Sequence, residues 1–489
     1  MASRLDRGKL AGAFAATALG ALCWWFGGGV HPLWWLTWLA PLPVLWLAPR
    51  VRARWAALAA FAAYAAGGCN LWGYLHGVIG LPLAFVLQAI AGPALVFALA
   101  VLLHRRLLLR GHAVAAALAP AALWVALEYA SSRLSPHGTF GSIAYTQMDA
   151  LPVIQVAAAT GLWGVVFLLL LLPAALATLG WPVTSPRRGR AAVLAVALVP
   201  LAAALLYGWL RLQAPAGGSL RIGLASIEKP IRPRLDDAAG QALQARYVQA
   251  IDALAQQGAR VAVIPETSFA TADASVPAFA QLASRHQLVL DAGIDATTDP
   301  RAEHNRAMAF QPDGTPPPTY DKHHLIPGFE HQYTPGTGYT MLAGSPRIGL
   351  AICKDMDFQD TGLAYAAHGA QLLLVPAWDF GVDGWLHSRM AIMRGVESGF
   401  AVARAARTGR LTLSDDRGRV LAEASSERHD ATLVGDLPLR ATHTLYARWG
   451  DWFAWLDLAL LAALLFMALP RRRGNRSALR DDPVAEPQA

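Results

Sequence analysis

Cysteine is scarce in this chain, with three in 489 residues: Cys23, Cys69 and Cys353. So low a number excludes a disulfide framework, and no Cys-x-x-Cys or Cys/His spacing suggests a zinc site. Charge is scarce too. Lys, Arg, Asp and Glu make up 15% of the chain and hydrophobic residues 55%, against roughly 25% charged in an ordinary soluble domain. Acidic residues are almost missing from the long apolar stretches, Glu128 being the clearest exception, and no inverted repeat is visible. Both absences argue against a transporter. The formal charge of +8 does not form the basic stripe that a nucleic acid requires, because much of it falls in arginine clusters between apolar segments. No nucleic-acid partner is expected.

What the chain has in quantity is long apolar runs, near residues 10–28, 32–49, 55–74, 80–103, 113–130, 151–180, 191–211 and 453–469. Each is long enough, or nearly so, to cross about 30 Å of hydrocarbon. The first, preceded by Arg4, Arg7 and Lys9, has the look of a signal peptide. It lacks a small-x-small cleavage pattern, and Gly20-Ala-Leu22-Cys23 lacks the small residue expected before a lipoprotein cysteine. It is expected to remain as an anchor.

The arginines orient the bundle. Alternate loops hold Arg4, Arg7 and Lys9; Arg50, Arg52 and Arg54; Arg105, Arg106 and Arg110; Arg187, Arg188 and Arg190; and Arg471, Arg472, Arg473 and Arg476. Opposite short loops hold almost none, Arg133 excepted. Eight spans with both termini cytoplasmic satisfy every cluster, whereas seven would strand one. The organisation expected is a seven-span bundle over 1–215, an extracytoplasmic domain over 216–442, and an eighth span with a cytoplasmic tail over 443–489. The polar connection from Ser131 to Leu151 is expected at the outer interface, under that domain.

From Ser219 the hydrophobic period shortens. Strands are expected near 220–226, 261–264, 288–293, 307–310, 318–320, 347–352, 371–375, 401–405, 411–414 and 431–436, with helices near 238–257, 276–286, 360–368 and 384–399. Alternation of this kind predicts a layered α/β domain.

Three residues stand at expected strand ends in this domain: Glu266 after Val261-Ala-Val-Ile-Pro, Lys322 in Tyr320-Asp-Lys322-His-His-Leu-Ile-Pro, and Cys353 after Arg347-Ile-Gly-Leu-Ala-Ile. A thiol attacks carbonyl carbon only as thiolate, so a base must take its proton. Glu266 suits that role if apolar surroundings raise its pKa. Lys322 and the Lys354 N–H could meet the charge that develops on the carbonyl oxygen. Glu330 could orient the lysine or the attacking amine. Each residue also has a plainer reading. Glu266 could be a helix N-terminal carboxylate, Lys322 a surface charge, and Lys354, Asp355 and Asp357 a solvated turn. His323 and His324 point to opposite faces if they lie on a strand, which argues against one shared metal site. No metal or organic cofactor is expected.

Taken together, these motifs resemble the nitrilase, or carbon–nitrogen hydrolase, superfamily. The resemblance implies an αββα sandwich with Glu266 as base, Lys322 as stabiliser of the tetrahedral intermediate, Cys353 as nucleophile and Glu330 as a second glutamate. With a membrane bundle attached, the chain resembles the apolipoprotein N-acyltransferase branch. That likeness extends to Gly138-Thr-Phe-Gly-Ser-Ile-Ala-Tyr145-Thr-Gln147, Gln155–Phe167, Trp385–Glu397 and Thr444–Trp452. It implies a bacterial inner membrane enzyme that takes an acyl chain from a phospholipid onto the cysteine and passes it to the N-terminal amine of a diacylglyceryl lipoprotein. The chain departs from that branch in Cys353-Lys354-Asp355 where Cys-Tyr-Glu is usual, in Pro327-Gly-Phe-Glu330 for Pro-Phe-Gly-Glu, and in Ala225-Ser-Ile-Glu228 for Gln-x-Asn. Only five residues separate Glu330 from Gly336, where the branch carries a longer lid loop. These features leave a second expectation open, a membrane-anchored amidase or an acyltransferase for another amine. A non-catalytic scaffold is a third. Substrate-binding candidates are Lys354, Asp355, Trp378 and Trp385, with Trp449 and Trp452 near the outer interface.

Overall fold

The computed structural model describes residues 7–182, 186–215, 217–299 and 302–470. Arg4, the arginines at 471–473 and 476, and the expected cytoplasmic tail lie outside the described residues. Five described helices are long and apolar enough to cross a membrane: Leu10–Gly27, Leu83–Leu109, Ala113–Leu134, Leu162–Leu179 and Arg187–Gln213. Shorter apolar helices are Ala53–Gly68 and Trp452–Ala468.

Three expected segments are not single helices. Residues 32–49 form Trp34–Leu39 and Leu42–Leu47, broken where Pro41 and Pro43 withhold amide donors. The helix from Ala53 stops at the Gly67-Gly68 pair and gives way to a π-helical turn, Gly73–Val78. Residues 151–180 begin as two single turns, Leu151–Ile154 and Ala157–Thr160, before the long helix Leu162–Leu179. The break is Gly161, at φ 65°, where a Cβ would come within 2.7 Å of the Tyr446 ring. Only glycine allows both that dihedral and that approach.

The soluble domain has two sheets. Its strands are β1 (Ser219–Ser226), β2 (Val261–Thr271), β3 (Val289–Asp299), β4 (Ala302–Phe310), β5 (Thr319–Asp321), β6 (Ile348–Leu350), β7 (Leu372–Trp378), β8 (Ala401–Arg407), β9 (Arg410–Ser414), β10 (Val420–Ser425) and β11 (Ala431–Pro438). In the first sheet the order is β11-β1-β2-β3-β4-β5, and in the second β10-β9-β8-β7-β6.

Period-two alternation builds the layers. Val261 and Val263 of β2 join Ile222, Leu224, Leu350, Leu372 and Leu374 between the sheets. Ala262 and Ile264 face the other way, under the helices Ala238–Gln256 and Pro277–His286. The first of these helices buries Leu243, Tyr247, Ile251 and Leu254, one stripe at helical spacing, and Asp237 caps its start. Helices Gln359–Ala367 and Gly384–Ser398 flank the second sheet, with Tyr365 and Ala391 in the apolar cluster that also holds Leu373, Val375 and Val402. The result is an αββα sandwich.

Strands β1, β2 and β3 run parallel, as do β6, β7 and β8. Their carboxyl ends therefore gather at one edge of the sandwich. The bundle meets this domain through directed bonds. Tyr74 Oη donates to Asp383 Oδ2 at 2.8 Å, and the Thr139 amide and hydroxyl donate to the Asp357 carbonyl at 3.0 and 2.7 Å. Gln155 Nε2 donates to the Arg417 carbonyl at 2.8 Å. The Ser131–Leu151 connection thus packs against the turn that follows Cys353.

Candidate active site

Glu266 sits where β2 leaves regular pairing. Its register with β3 shifts between Ile264 and Phe269, and Thr267 takes φ 46°, a conformation costly for a β-branched residue. The bulge is accommodated by Gly293 on β3, where a Cβ would meet Glu266 Cα at 2.4 Å. Lys322 follows β5, with its amide bonded to the Asn305 carbonyl at 2.9 Å. Cys353 follows β6 at φ 41° and opens the 3₁₀ turn Cys353–Asp357.

The Lys322 ammonium is fully buried. It donates to Glu266 Oε1 at 2.7 Å and to both Glu330 oxygens at 3.0 and 2.9 Å. Asn305 Nδ2 bridges the same carboxylates, at 2.6 Å to Glu266 and 2.7 Å to Glu330. Glu330 is further held by the Ile326 amide at 2.7 Å. Cys353 Sγ donates to the Trp378 carbonyl at 3.6 Å.

Electrostatics follow from this packing. Burial pushes the Glu266 carboxyl up, against the pull of Lys322. Burial alone would lower Lys322, but the charges of Glu266 and Glu330 override it and hold the ammonium well above its usual range. Burial, and then the Glu266 charge, push the Cys353 thiol well up, while Lys322 and Arg404 pull it down. Burial thus favours the neutral thiol at Cys353, with the Lys322 cation already in place.

The other expected site residues divide. Asp355, fully buried, braces the nucleophile turn: Oδ2 accepts from the Ile352 amide at 3.1 Å and the Tyr320 hydroxyl at 2.8 Å, and Oδ1 from the amides of His323 and His324 at 3.1 and 2.9 Å. One carboxylate thereby ties the cysteine turn to the segment carrying Lys322. Lys354 points its ammonium toward the bundle connection, 3.3 Å from His137 Nδ1 and 3.4 Å from Asp357 Oδ2. Trp378 is beside the thiol through its carbonyl. Trp385 belongs to the apolar cluster of the bundle, with His31 and Arg389 against its ring.

Sequence reasoning missed Asn305, because the expected strand began two residues later. It also missed the pair Arg404–Asp379, whose guanidinium donates to both carboxylate oxygens at 2.9 and 2.5 Å and fixes the backbone just past Trp378. A charged residue inside Ala401-Val-Ala-Arg404-Ala-Ala was the available signal. Among the described residues, no group of three or more His, Cys, Asp or Glu is arranged to hold a metal ion.

An αββα sandwich with a buried glutamate, lysine and cysteine at the carboxyl ends of its strands defines a carbon–nitrogen hydrolase domain, and the carbon–nitrogen hydrolase family model matches residues 232–446. The N-terminal domain of apolipoprotein N-acyltransferases matches residues 19–175. Among curated relatives, the apolipoprotein N-acyltransferase of Methylococcus capsulatus is 30% identical over 395 residues, covering 73% of this chain and 74% of the relative. That of Geobacter metallireducens is 28% identical over 385 residues, covering 72% and 74%. That of Rhodopseudomonas palustris is 26% identical over 512 residues, covering 95% and 88%. The chain belongs to the apolipoprotein N-acyltransferase family. Among solved structures, the amidase from Nesterenkonia sp. AN1, of the nitrilase superfamily, is similar at 23% identity and a TM-score of 0.40, covering 46% of this chain and 93% of that one.

Proposed function

We propose that this protein transfers a fatty acyl group from a phospholipid, through a thioester on Cys353, to the N-terminal amine of a diacylglyceryl lipoprotein. The observation that carries the reading is the closed cluster of Glu266, Lys322 and Glu330 beside Cys353, in a chain of this family. As sulfur attacks the ester carbonyl, Glu266 takes the thiol proton. Lys322 and the Lys354 N–H stabilise the oxyanion. Collapse expels the lysophospholipid alkoxide, which takes the proton back from Glu266. In the second half the amine attacks the thioester, Glu266 takes a proton from it, and the sulfur leaves as the thiol.

A buried site suits this chemistry, because water would otherwise hydrolyse the thioester. The arginine clusters support eight crossings of the bacterial inner membrane with both termini cytoplasmic, which would put the domain on the outer side, level with the lipid donors of that leaflet. The short Glu330–Gly336 connection favours the second reading, a membrane-anchored amidase or an acyltransferase for another amine, since it leaves less protein over a lipid substrate.

Mass spectrometry of the purified protein, incubated with phospholipid and then with a diacylglyceryl lipopeptide, separates the two. A fatty-acyl adduct on Cys353 that discharges onto the peptide amine, and is absent from Cys353→Ala, is the expected result. A reactive Cys353 that takes no acyl group from any phospholipid would move the assignment to the hydrolase.

A further inference from the structure

Two cations packed on the Trp378 ring have no task in the mechanism above. Lys229, just past β1, and Arg407, at the end of β8, are both more than nine-tenths buried. Both lie against the Trp378 indole, with the Arg407 guanidinium 4.4 Å and the Lys229 ammonium 5.6 Å from its ring centroid. Trp378 is the residue whose carbonyl holds the Cys353 thiol. Lys229 Nζ donates to the carbonyl of Thr267, the neighbour of Glu266, at 2.6 Å. The pair therefore touches a neighbour of the nucleophile through the Trp378 ring and a neighbour of the base through the Thr267 carbonyl.

Neither cation has an ion-pair partner among the described residues, though the field of Glu228 reaches Arg407. Arg407 Nη2 donates to the Lys229 carbonyl at 2.8 Å, while Arg407 Nε and Nη1 are buried with no acceptor among the described residues. Asp295 and Glu266, the acids whose fields reach Lys229, are already engaged by Arg232 and Lys322. Burying one unpaired cation is costly, and two adjacent ones more so. A cation–π contact with indole offsets only part of that cost. A guanidinium with free N–H donors beside an ammonium is the donor set that suits a phosphate.

We infer that Lys229 and Arg407, screened from water by the partly exposed Trp378 side chain, form a subsite for the phosphodiester of the acyl donor. The inference rests on the phospholipid reading of the previous section. In a glycerophospholipid the phosphate is attached to the same glycerol as the ester under attack. A cation pair one residue removed from both Cys353 and Glu266 is suitably placed to hold the headgroup while the ester carbonyl reaches sulfur. Burial and the Arg407 charge push the Lys229 ammonium down to about 7, and an arriving anion would oppose that shift.

The test measures acylation of Cys353 in the full-length protein by mass spectrometry with two donors of equal chain length, a phosphatidylglycerol and a neutral para-nitrophenyl ester. For Arg407→Met and Lys229→Met, the phospholipid/neutral ratio of kcat/KM is expected to fall about tenfold, the scale of one lost charge-assisted hydrogen bond. Arg407→Lys should restore part of that ratio, a recovery that damage to the fold would not give. Inhibition of the wild type by glycerophosphoglycerol but not by inorganic phosphate would assign the subsite to the lipid headgroup. Inhibition by both would make it a general phosphate site. Equal losses on both donors would overturn the subsite while leaving the acyltransferase reading intact. Failure of wild-type Cys353 to accept acyl groups from phosphatidylglycerol, with the neutral ester still reacting, would instead defeat the reading on which the subsite rests.

Discussion

Asn305 shows how single atoms set the chemistry. Its amide bridges two carboxylates that also share one lysine, and the bond to Glu266 opposes the upward push of burial. Asn305→Ala removes that opposition, so the Glu266 pKa rises further and less of the base is ionised at neutral pH. The acid limb of the pH profile of kcat/KM should move to higher pH. Lys229 gives a second pH effect, on stability. Its folded pKa of about 7 lies below the reference 10.5, so between those values the unfolded chain binds the extra proton. Stability of the lipid-free protein should therefore rise with pH across that window, by up to a few kcal/mol, and Lys229→Met should flatten the rise in chemical denaturation measured from pH 7 to 10. Glu266 and Cys353 stand out as candidates in sequence because each punctuates an apolar run, Lys322 because it closes an expected strand, and Glu330 only by its spacing from Lys322 and the family resemblance. Asn305 and Lys229 do not, because nothing local announces which buried polar group will meet which, and the lone charge of Arg404 in an apolar strand marks its burial but not its partner Asp379.

At the scale of the element, the turn Cys353–Asp357 depends on one side chain. The Asp355 carboxylate accepts from the amides of Ile352, His323 and His324 and from the Tyr320 hydroxyl, keeping Cys353 at its positive φ. Asp355→Asn replaces one acceptor oxygen by a donor and leaves amides facing it. A loss of about 2–3 kcal/mol is expected, read as a lowered denaturation midpoint, together with a lower rate of Cys353 acylation. The sequence reading gave Asp355 to substrate, since a charge after a nucleophile looks available until its donors are known, the His324 ring among them. The layered α/β arrangement was legible from alternation of period. The break at Gly161 was not, because hydropathy sees an apolar run and is blind to a positive φ. Asp457 escaped notice in the same way: it is buried on the last apolar helix, and neither of its oxygens has a hydrogen-bond partner among the described residues.

At the scale of the whole molecule, orientation is the property that sequence argues and geometry does not, since arginine counts refer to a membrane that the fold itself does not contain. In a background lacking Cys23, Cys69 and Cys353, a cysteine placed at exposed Leu421 should react with a membrane-impermeant maleimide in intact spheroplasts. One placed at Arg110 should react only after permeabilisation. The reverse pattern would overturn the outward placement of the domain. The two parts are also joined in a way that bears on assembly. The first amide of the bundle helix Leu162–Leu179 donates to Glu397 Oε1 at 2.7 Å, and this acceptor lies 235 residues further along the chain. During synthesis that helix end has no such acceptor until the domain has been made and folded back onto it. A chain that stops short of residue 397 therefore leaves this helix start without its acceptor, so the finish of the bundle waits on the domain.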